Sequence, residues 1–560
     1  MKILLIYPYC LEDRIYAEDV EVPPIGIYYT AAVLKERRYD CEVVNWHDLG
    51  KTPEAMHDSL AAKSPDVIGL SVLHANRWGA IEIARTAKQI NPKVTVVFGG
   101  VGASFLWEHL LTHFRDIDYC VLGEGEFTFL SLIQAIEGGD KGAIETIPGI
   151  ALRRDGSVVK TGDCPRIQNL DRLPDPARWF TFQHVTSTRG CPGNCTFCGS
   201  PRLWGRKVRF HSPRYFVDQL ERLNQKGVRF FYFSDDTFML KKDHVIRICK
   251  GILERGLHIA WAAISHVRYV DEEVLSWMRR AGCTQISYGV ESGSEQIRDV
   301  LNKNIRTDRI HKAFSLTTRY GILPRAYFIY GCPGETRETI QETIDLIQAI
   351  KPLGAIFYIL DIFPGTALYD DFIRRTGATD DVWLKRIEDI MYFETDPRLD
   401  QETILKFGRT LREAFYKNLP SFVADIQLIN DKRFFDLHAD FLSRLGMTFS
   451  HGDYARIEAI PQKQEMAERL YGQSLAYAPN ARAYLGIGMI RQHERDFRES
   501  IRILAEGIRH FPENEQMHLC MALSHMNLGQ YAEALPYLEK FRNSRQAAPY
   551  IEECRRRLQA

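Results

Sequence analysis

The sequence lacks an excess of charge of either sign, because its 72 lysine and arginine residues are matched by 72 aspartate and glutamate residues. This balance gives no support for nucleic-acid binding through bulk positive charge. No apolar run approaches the roughly 20 residues that cross a membrane, and the run at residues 1–7 ends at Pro8, which is typical of a buried strand and not of a signal peptide. Cysteine is sparse, and twelve cysteines in 560 residues do not form a secreted disulfide framework. The composition predicts an ordinary soluble globular protein.

A chain of 560 residues is too long for one hydrophobic core, so several domains are expected. Residues 1–140 alternate short apolar runs with amphipathic stretches, which predicts an α/β domain with a doubly wound parallel sheet. The alternation resumes from Val185 with six predicted strands, which indicates a partial (β/α)6 barrel over residues 183–400. Residues 141–182 are predicted to be a linker that contains a β-hairpin with its turn at Asp155-Gly156.

Strand signals stop after the predicted barrel. Residues 401–462 are predicted to be a helical connection and residues 463–560 an all-α repeat region. The repeat shows as a self-similarity at 34 residues, in which Leu485 matches Leu519, and its second unit resembles a tetratricopeptide repeat. Such repeats would offer a concave surface to a protein partner. A structural cap over the barrel and a dimerisation element are the alternatives.

Three cysteines are clustered at a C-x3-C-x2-C spacing: Cys191, Cys195 and Cys198. Thiolates this close on one loop can converge on a single metal centre. A tetrahedral zinc site would need a fourth protein ligand, but the next cysteine is Cys249 and His211 lies thirteen residues on. An iron–sulfur cluster can be held by three cysteines, which leaves one iron open. A zinc knuckle and three unrelated buried thiols remain the alternatives.

With the aromatic Phe197 just before the last cysteine, this triplet resembles the signature of the radical S-adenosylmethionine (SAM) superfamily. The resemblance implies a [4Fe-4S] cluster whose open iron chelates the amino and carboxylate groups of SAM. It also implies reductive cleavage of SAM to a 5′-deoxyadenosyl radical, and hence an electron donor of the flavodoxin or ferredoxin type. An oxygen-sensitive cluster requires a reducing compartment, so a cytoplasmic location is expected.

Further matches to this superfamily follow in order at predicted strand ends of the barrel, which is where βα barrels carry their active sites. They are residues 234–238, 289–293, 330–336 and 363–366. The resemblance implies that Asp235 accepts the ammonium group of SAM and that Glu291 hydrogen-bonds another polar part. Each match alone has a simpler explanation, because paired aspartates cap helices and Pro-Gly forms turns. The residues assigned to SAM are Phe197, Ser234, Asp235, Gly289, Glu291, Tyr330, Pro333 and Gly334.

The strand ends of the first domain are rich in glycine, which lets the backbone approach a flat or bulky ligand. The S-x-L and G-G sequences at these ends resemble the cobalamin-binding domain, where the nucleotide tail inserts beside the sheet and the corrin lies over the strand ends. The residues assigned to cobalamin are Ser71, Leu73, Gly99, Gly100, Gly123 and Glu124. His47 lies in a near-match to a cobalt-ligand motif but follows the second strand, so it is predicted to be a loop histidine. A flavodoxin-like fold without cobalamin is the alternative.

Residues 1–400 therefore resemble the cobalamin-dependent, class B methyltransferase-like branch of the radical SAM superfamily. The resemblance implies methyl transfer to an unactivated carbon or phosphorus of a small-molecule or carrier-bound substrate. No motif names that substrate or assigns a residue that acts on it. Three alternatives stay open: cyclisation or rearrangement with the same cofactors, a radical enzyme whose first domain is empty, and a scaffold whose helical repeats carry the function.

Overall fold

The computed structural model describes residues 1–11, 23–47 and 52–559. Within these ranges the chain forms two α/β units followed by a helical region. The predicted fold class is confirmed: a doubly wound sheet, a six-stranded open barrel and an all-α C-terminal part. No helix in the described part of the chain is both long and apolar enough to cross a membrane.

The first sheet is built from seven strands. They are β1 Lys2–Tyr7, β2 Asp40–Asn45, β3 Val67–Ser71, β4 Thr95–Gly99, β5 Tyr119–Val121, β6 Ile150–Arg154 and β7 Ser157–Lys160. Their order across the sheet is β2-β1-β3-β4-β5-β6-β7. The first five are parallel, whereas β6 pairs antiparallel with β5 and β7 antiparallel with β6. The hairpin assigned by sequence to the linker of residues 141–182 therefore extends the first sheet, because backbone pairing with β5 satisfies the hydrogen bonds of an otherwise open edge.

Helices cover both faces of this sheet, which explains why β1 is buried at every position from Ile3 to Tyr7. The helices are α1 Ile25–Glu36, α2 Pro53–Lys63, α3 Arg77–Ile90, α4 Val101–His113, α5 Gly125–Glu137 and α6 Lys141–Thr146. One core lies between the sheet and α1, α5 and α6, and the other between the sheet and α2, α3 and α4.

The second unit contains the remaining eight strands. They are β8 His184–Val185, β9 Thr188–Arg189, β10 Arg209–Phe210, β11 Phe230–Phe233, β12 Ala260–Ser265, β13 Cys283–Glu291, β14 Leu323–Tyr330 and β15 Gly354–Ile359. Six of them form a parallel sheet in the order β15-β14-β13-β12-β11-β8, and β9 and β10 form a separate antiparallel ribbon. The order follows the sequence, as expected for consecutive βα units.

Eight helices belong to the second unit. They are α7 Ser200–Trp204, α8 Pro213–Gln225, α9 Lys242–Glu254, α10 Glu272–Arg280, α11 Glu295–Val300, α12 Thr307–Arg319, α13 Arg337–Ile350 and α14 Ala367–Thr376. Four of them (α8, α10, α13 and α14) begin at a residue whose side chain caps the helix. At the start of α8, for example, the Ser212 hydroxyl accepts a hydrogen bond from the Tyr215 N–H at 3.1 Å, and Pro213 occupies the first turn.

After α14 the chain returns to the first unit through residues 379–391, which we name the interdomain strap. The Glu388 carboxylate accepts hydrogen bonds from the backbone N–H groups of Arg77 (3.1 Å) and Trp78 (2.8 Å) at the start of α3. The Trp78 indole N–H donates to the Lys385 carbonyl at 2.9 Å. These contacts hold the barrel against the first domain.

The C-terminal region consists of eight helices. They are α15 Gln401–Ala424, α16 Phe435–Ser450, α17 Lys463–Tyr477, α18 Ala481–His493, α19 Phe497–His510, α20 Glu515–Asn527, α21 Tyr531–Glu539 and α22 Ala548–Gln559. Helices α15 to α18 contribute to one apolar core that is continuous with the barrel, whereas α20 to α22 have a small core of their own. The tetratricopeptide assignment of this region stays a prediction.

Candidate active site

A cavity of about 650 Å³ lies between the two α/β units, where the carboxyl ends of their strands meet. All six residues assigned to cobalamin line it, from Ser71 to Glu124. The second unit contributes Ser234 and Asp236 after β11, Phe363, and Gly199 and Ser200 directly after Cys198. The cavity has the volume of a ligand pocket. It also lies at the strand-end edge, where α/β sheets bind ligands.

The lining of the cavity extends from the strand ends along one face of the first sheet. Leu5, Gly69 and Val97 contribute to it from strand interiors, and Ile27 and Phe129 contribute from α1 and α5. A lining that includes both the strand ends and a sheet face fits a ligand with an elongated tail and a flat body, which is the form of cobalamin.

Two glycines make the floor of the cavity flat. At Gly100 φ is +91°, and a Cβ atom would lie 2.7 Å from the Val72 carbonyl oxygen, so no side chain fits. At Gly99 the nearest atom to a Cβ would be 3.9 Å away, so a side chain there would occupy cavity space. The residues present therefore fit a bulky ligand at the strand ends.

The predicted loop histidine His47 follows the end of β2 in a turn and does not line this cavity. Its neighbours Asp48, Leu49 and Gly50, which complete the near-match to the cobalt-ligand motif, lie outside the described residues.

The three cysteines lie on the loop between β9 and α7 and are half-buried. The loop is fixed to the end of α11, because the Thr196 N–H donates to the Leu301 carbonyl at 3.0 Å and the Asn302 amide donates to the Asn194 carbonyl at 2.7 Å. Among the described residues, the three Sγ atoms do not form a set within 4.8 Å of one another. Four sulfurs bound to one zinc ion at 2.3 Å would lie about 3.8 Å apart. The three sulfurs therefore lie too far apart to share one tetrahedral zinc ion.

Burial of the thiols opposes the charged form that a metal binds. Burial raises the pKa of Cys195 and raises that of Cys198 to about 12. Since metals bind thiolates, the charge of these sulfurs must be compensated by cations. Lys303 is one such cation, and it lowers the pKa of Cys195.

Lys303 was not identified from the sequence, although it lies twelve residues after the predicted Glu291. Its side chain is 12% exposed, and Nζ is 2.6 Å from Glu291 Oε1. Burial opposes its charge, but Glu291 and then Cys195 offset this effect, so the pKa of Lys303 is raised. Glu291 itself has φ +68° at an irregularity in the pairing of β13 with β14. At Gly289 a Cβ would lie 2.4 Å from Glu291 Oε1, so this glycine makes room for the ion pair.

The two aspartates after β11 differ in their surroundings. Asp235 is buried, and its Oδ1 accepts hydrogen bonds from Ser187 N–H and Oγ (both 3.0 Å) and from Thr188 Oγ1 (2.5 Å). Burial raises the pKa of Asp235 to about 6. Asp236 lines the cavity and accepts a hydrogen bond from Ser200 Oγ at 2.6 Å. Asp235 therefore fixes the chain that leads into the cysteine loop, and Asp236 presents its carboxylate to the cavity.

The other residues assigned to SAM are dispersed. Ser234 lines the cavity and its Oγ is 3.0 Å from His184 Nδ1. The Tyr330 side chain points away from the cavity and packs on Gly408 of α15, with its hydroxyl 3.3 Å from Arg412 Nη1. Pro333 and Gly334 form a turn after β14 that does not line the cavity, and Phe197 packs partly against the core.

A buried ion-pair network, which we name the interdomain clasp, closes one wall of the cavity. It consists of Glu124, Glu126, Arg189 and Arg209. Arg189 Nη2 is 2.5 Å from Glu126 Oε1 and Nη1 is 3.4 Å from Glu124 Oε2, while Arg209 Nη2 is 2.5 Å from Glu124 Oε1. The predicted Glu124 thus uses its carboxylate on two arginines of the other unit. Burial opposes the charge of Arg189, but Glu126 and Glu124 keep its pKa raised.

Comparison with known proteins agrees with this arrangement. The family model of the B12 binding domain matches residues 19–133 and that of the radical SAM superfamily matches residues 185–347. An uncharacterized methyltransferase of Pyrococcus horikoshii is 30% identical over 429 residues, which cover 74% of this chain and 92% of that protein. The anaerobic magnesium-protoporphyrin IX monomethyl ester cyclase of Rubrivivax gelatinosus is 28% identical over 395 residues, 66% of this chain and 70% of that protein.

The fold also matches a solved structure. The radical S-adenosylmethionine methyltransferase TsrM of Kitasatospora setae, with cobalamin and a [4Fe-4S] cluster bound, aligns with a TM-score of 0.61 and 16% identity over 85% of this chain and 100% of that chain.

Fold, cysteine loop and interdomain cavity define an iron–sulfur enzyme with a second cofactor domain. The chain belongs to the radical SAM enzymes that carry a B12-binding domain. Its cofactors are a [4Fe-4S] cluster, SAM and cobalamin.

Proposed function

We propose that this enzyme transfers a methyl group from SAM to an unactivated carbon or phosphorus of a small-molecule or carrier-bound substrate. The observation that carries the proposal is the shared cavity. One wall is made by the glycine-rich strand ends of the first domain and the other by residues that adjoin the cysteine loop. A substrate in this cavity would lie between the site where SAM is cleaved and the site of the methyl carrier.

The charge and position of each residue indicate which cofactor it would bind. Cys191, Cys195 and Cys198 would hold three irons of the cluster. The buried ammonium of Lys303 suits the carboxylate of SAM, whereas Asp236 and Ser234 line the cavity and suit its ammonium. We assign to Asp235 a positioning role, because its Oδ1 accepts three hydrogen bonds from Ser187 and Thr188 and the residue does not line the cavity.

In the first domain, Ser71, Leu73, Gly99, Gly100 and Gly123 would form the cobalamin site, and Glu124 would contribute its backbone. When bound, the cluster and cobalamin supply reductive cleavage of SAM and a methyl carrier. The interdomain clasp and the Phe363 side chain line the cavity and would limit the access of water to the space between the two cofactors. Backbone groups of Gly289 and of the turn at residues 330–334 are proposed to contact the rest of SAM.

The two sheets support a division of the α/β part of the chain into two domains. We propose a cobalamin domain that includes the hairpin, a short connection to residue 182, a barrel over residues 183–400, a helical connection over residues 401–462 and a helical repeat region over residues 463–560. A flavodoxin- or ferredoxin-type donor is proposed because cleavage consumes an electron. The terminal helices are proposed as a site for a protein partner.

Cyclisation is the second candidate, because the similarity to the Rubrivivax cyclase extends over both cofactor domains. The two reactions leave different products of SAM. Methyl transfer with radical formation consumes two SAM molecules and releases S-adenosylhomocysteine as well as 5′-deoxyadenosine and methionine. Ring formation through the same radical releases no S-adenosylhomocysteine.

The test is anaerobic turnover of the fully reconstituted enzyme with SAM labelled by three deuterons in its methyl group, over a panel of candidate substrates and cell extracts. We expect a product that retains deuterated methyl and equal yields of S-adenosylhomocysteine and 5′-deoxyadenosine. Cys195→Ala is the control that should abolish 5′-deoxyadenosine. Formation of 5′-deoxyadenosine and of an unlabelled product, without S-adenosylhomocysteine, would contradict methyl transfer and favour cyclisation.

A further inference from the structure

A second group of metal-binding side chains lies outside the cofactor cavity. His109 and His113 are one helical turn apart near the end of α4 and therefore share a face of that helix. Asp381 approaches the same face from the interdomain strap. One ligand atom from each of the three residues lies within 4.8 Å of the other two. None of the three lines the 650 Å³ cavity.

The distances suit a tetrahedral ion. His113 Nε2 is 3.0 Å and His109 Nδ1 is 3.9 Å from Asp381 Oδ1. Zinc binds imidazole nitrogen and carboxylate oxygen at about 2.0–2.2 Å, so its ligand atoms lie about 3.3–3.5 Å apart in a tetrahedron. The two distances to Asp381 Oδ1 lie on either side of this range, so small side-chain rotations would complete the geometry.

An independent observation concerns His109. Its side chain is only 2% exposed, and in the described part of the chain neither ring nitrogen has a hydrogen-bond partner. A buried polar group without a partner costs free energy, so such a group normally has one. A metal ion on the side of Asp381 would give one ring nitrogen of His109 a partner.

The turn that carries Asp381 is already fixed in place. The neighbouring Asp380 accepts a hydrogen bond from the Tyr369 hydroxyl at 2.7 Å, and that hydroxyl accepts one from the Trp383 indole N–H at 2.8 Å. Trp383 is fully buried. Asp381 itself is 61% exposed, so a water molecule can reach the fourth position of a tetrahedral ion.

We propose that His109, His113 and Asp381 form a zinc site that fastens the interdomain strap to α4. Imidazole nitrogen with one carboxylate oxygen is a donor set that zinc favours, whereas magnesium and calcium prefer oxygen ligands alone. The ion would link the first domain to the segment that follows the barrel, on the opposite end of the strap from Glu388. The ion would join two segments of the fold and would not contact the substrate cavity.

The test uses the holoenzyme with its iron–sulfur cluster assembled, so that the cysteine thiolates are occupied. Zinc is titrated by equilibrium dialysis and counted by mass spectrometry, and X-ray absorption at the zinc edge reports the ligands. We expect one zinc per chain with a first shell of nitrogen and oxygen at about 2.0 Å and no sulfur at about 2.3 Å. His113→Ala and Asp381→Asn should each weaken binding by at least the roughly 10- to 100-fold that loss of an outer-shell partner costs a metal site.

His57→Ala is the matched control. His57 Nδ1 is 3.4 Å from Asp58 Oδ1 on the surface, so this pair resembles the proposed site but belongs to no three-residue group among the described residues. Zinc affinity should not change in this variant. His113 is 32% exposed and Asp381→Asn preserves shape, so both variants should fold. No zinc in the wild-type holoenzyme, equal affinity in the wild type and in His113→Ala, or sulfur in the first shell would each overturn the proposal.

Discussion

Replacing Arg189 by methionine removes the centre of the interdomain clasp while preserving most of the side-chain volume. Glu124 would still have Arg209, but Glu126, whose side chain is 5% exposed, would lose the arginine that lies 2.5 Å away. Removing one partner of a buried ion pair costs about 3–5 kcal/mol, because the remaining charge is left without compensation. Loss of the Arg189 contact with the Trp204 ring, at 5.2 Å, would add up to about 1 kcal/mol.

The assay is anaerobic urea unfolding followed by tryptophan fluorescence, read at its first transition, since a chain of several domains need not unfold in one step. Arg178→Met is the control. Arg178 pairs with Glu36 at 3.3 Å, and both side chains are about half exposed. Its replacement should therefore lower the free energy of unfolding by less than about 1 kcal/mol. Adding Glu126→Gln to Arg189→Met should recover about 2 kcal/mol, because the unpaired carboxylate disappears. Equal costs for Arg189→Met and Arg178→Met, or no recovery in the double variant, would refute the argument.

Three further predictions concern separate parts of the site. Gly99→Phe should abolish cobalamin binding, measured by optical absorption, but leave iron content unchanged, since the side chain would fill the cavity; the exposed Gly138→Ala should change neither. Lys303→Met should weaken SAM binding to the reconstituted enzyme at least about tenfold, as a buried charge contact is lost, whereas the surface variant Lys351→Met should bind SAM normally. Burial raises the pKa of Glu335 to about 8, so the folded state binds this proton more tightly than the unfolded state does. As the pH rises from about 4.5 to about 8, the free energy of unfolding should therefore decrease relative to that of Glu335→Gln. The decrease should be at most about 5 kcal/mol, at 1.36 kcal/mol per pKa unit. Parallel stability curves for the two proteins in urea would contradict this last prediction.

The strands of both sheets could be predicted because apolar runs of four to six residues alternate with amphipathic helices. Helices α2 and α4 show little amphipathic periodicity. Helix α4, for example, is apolar over most of its surface, because it packs against the first sheet on one side and against the region of the strap on the other. A helix that is buried on several sides shows little of the periodicity on which prediction depends. The hairpin was recognised, but its attachment to β5 depends on a pairing between distant residues, which local patterns do not encode.

Within the site, the sequence located the strand ends but not the direction of their side chains. Tyr330 ends β14 as expected, yet its ring packs on α15, a helix that begins 71 residues later in the chain. The Glu124 carboxylate binds arginines of the other unit, and no sequence motif in the first domain predicts these ion pairs. Lys303 was missed because it lies on a loop, where the only local signal is a pair of asparagines with positive φ on either side of it.

The C-terminal helices belong to more than one apolar core, so their local unfolding should differ. Helices α15 to α18 share their apolar core with the barrel, so they can separate only when the barrel itself unfolds. The last three helices share a separate small core around Leu519, Leu538 and Ile551, and α20 also packs on α18 and α19 through Met517 and Met521. Their backbone amides should therefore exchange hydrogen with solvent through a local opening that leaves the catalytic domains closed. The end of the chain can then be ordered by a partner, or exchanged for another module during evolution, without disturbing the radical chemistry.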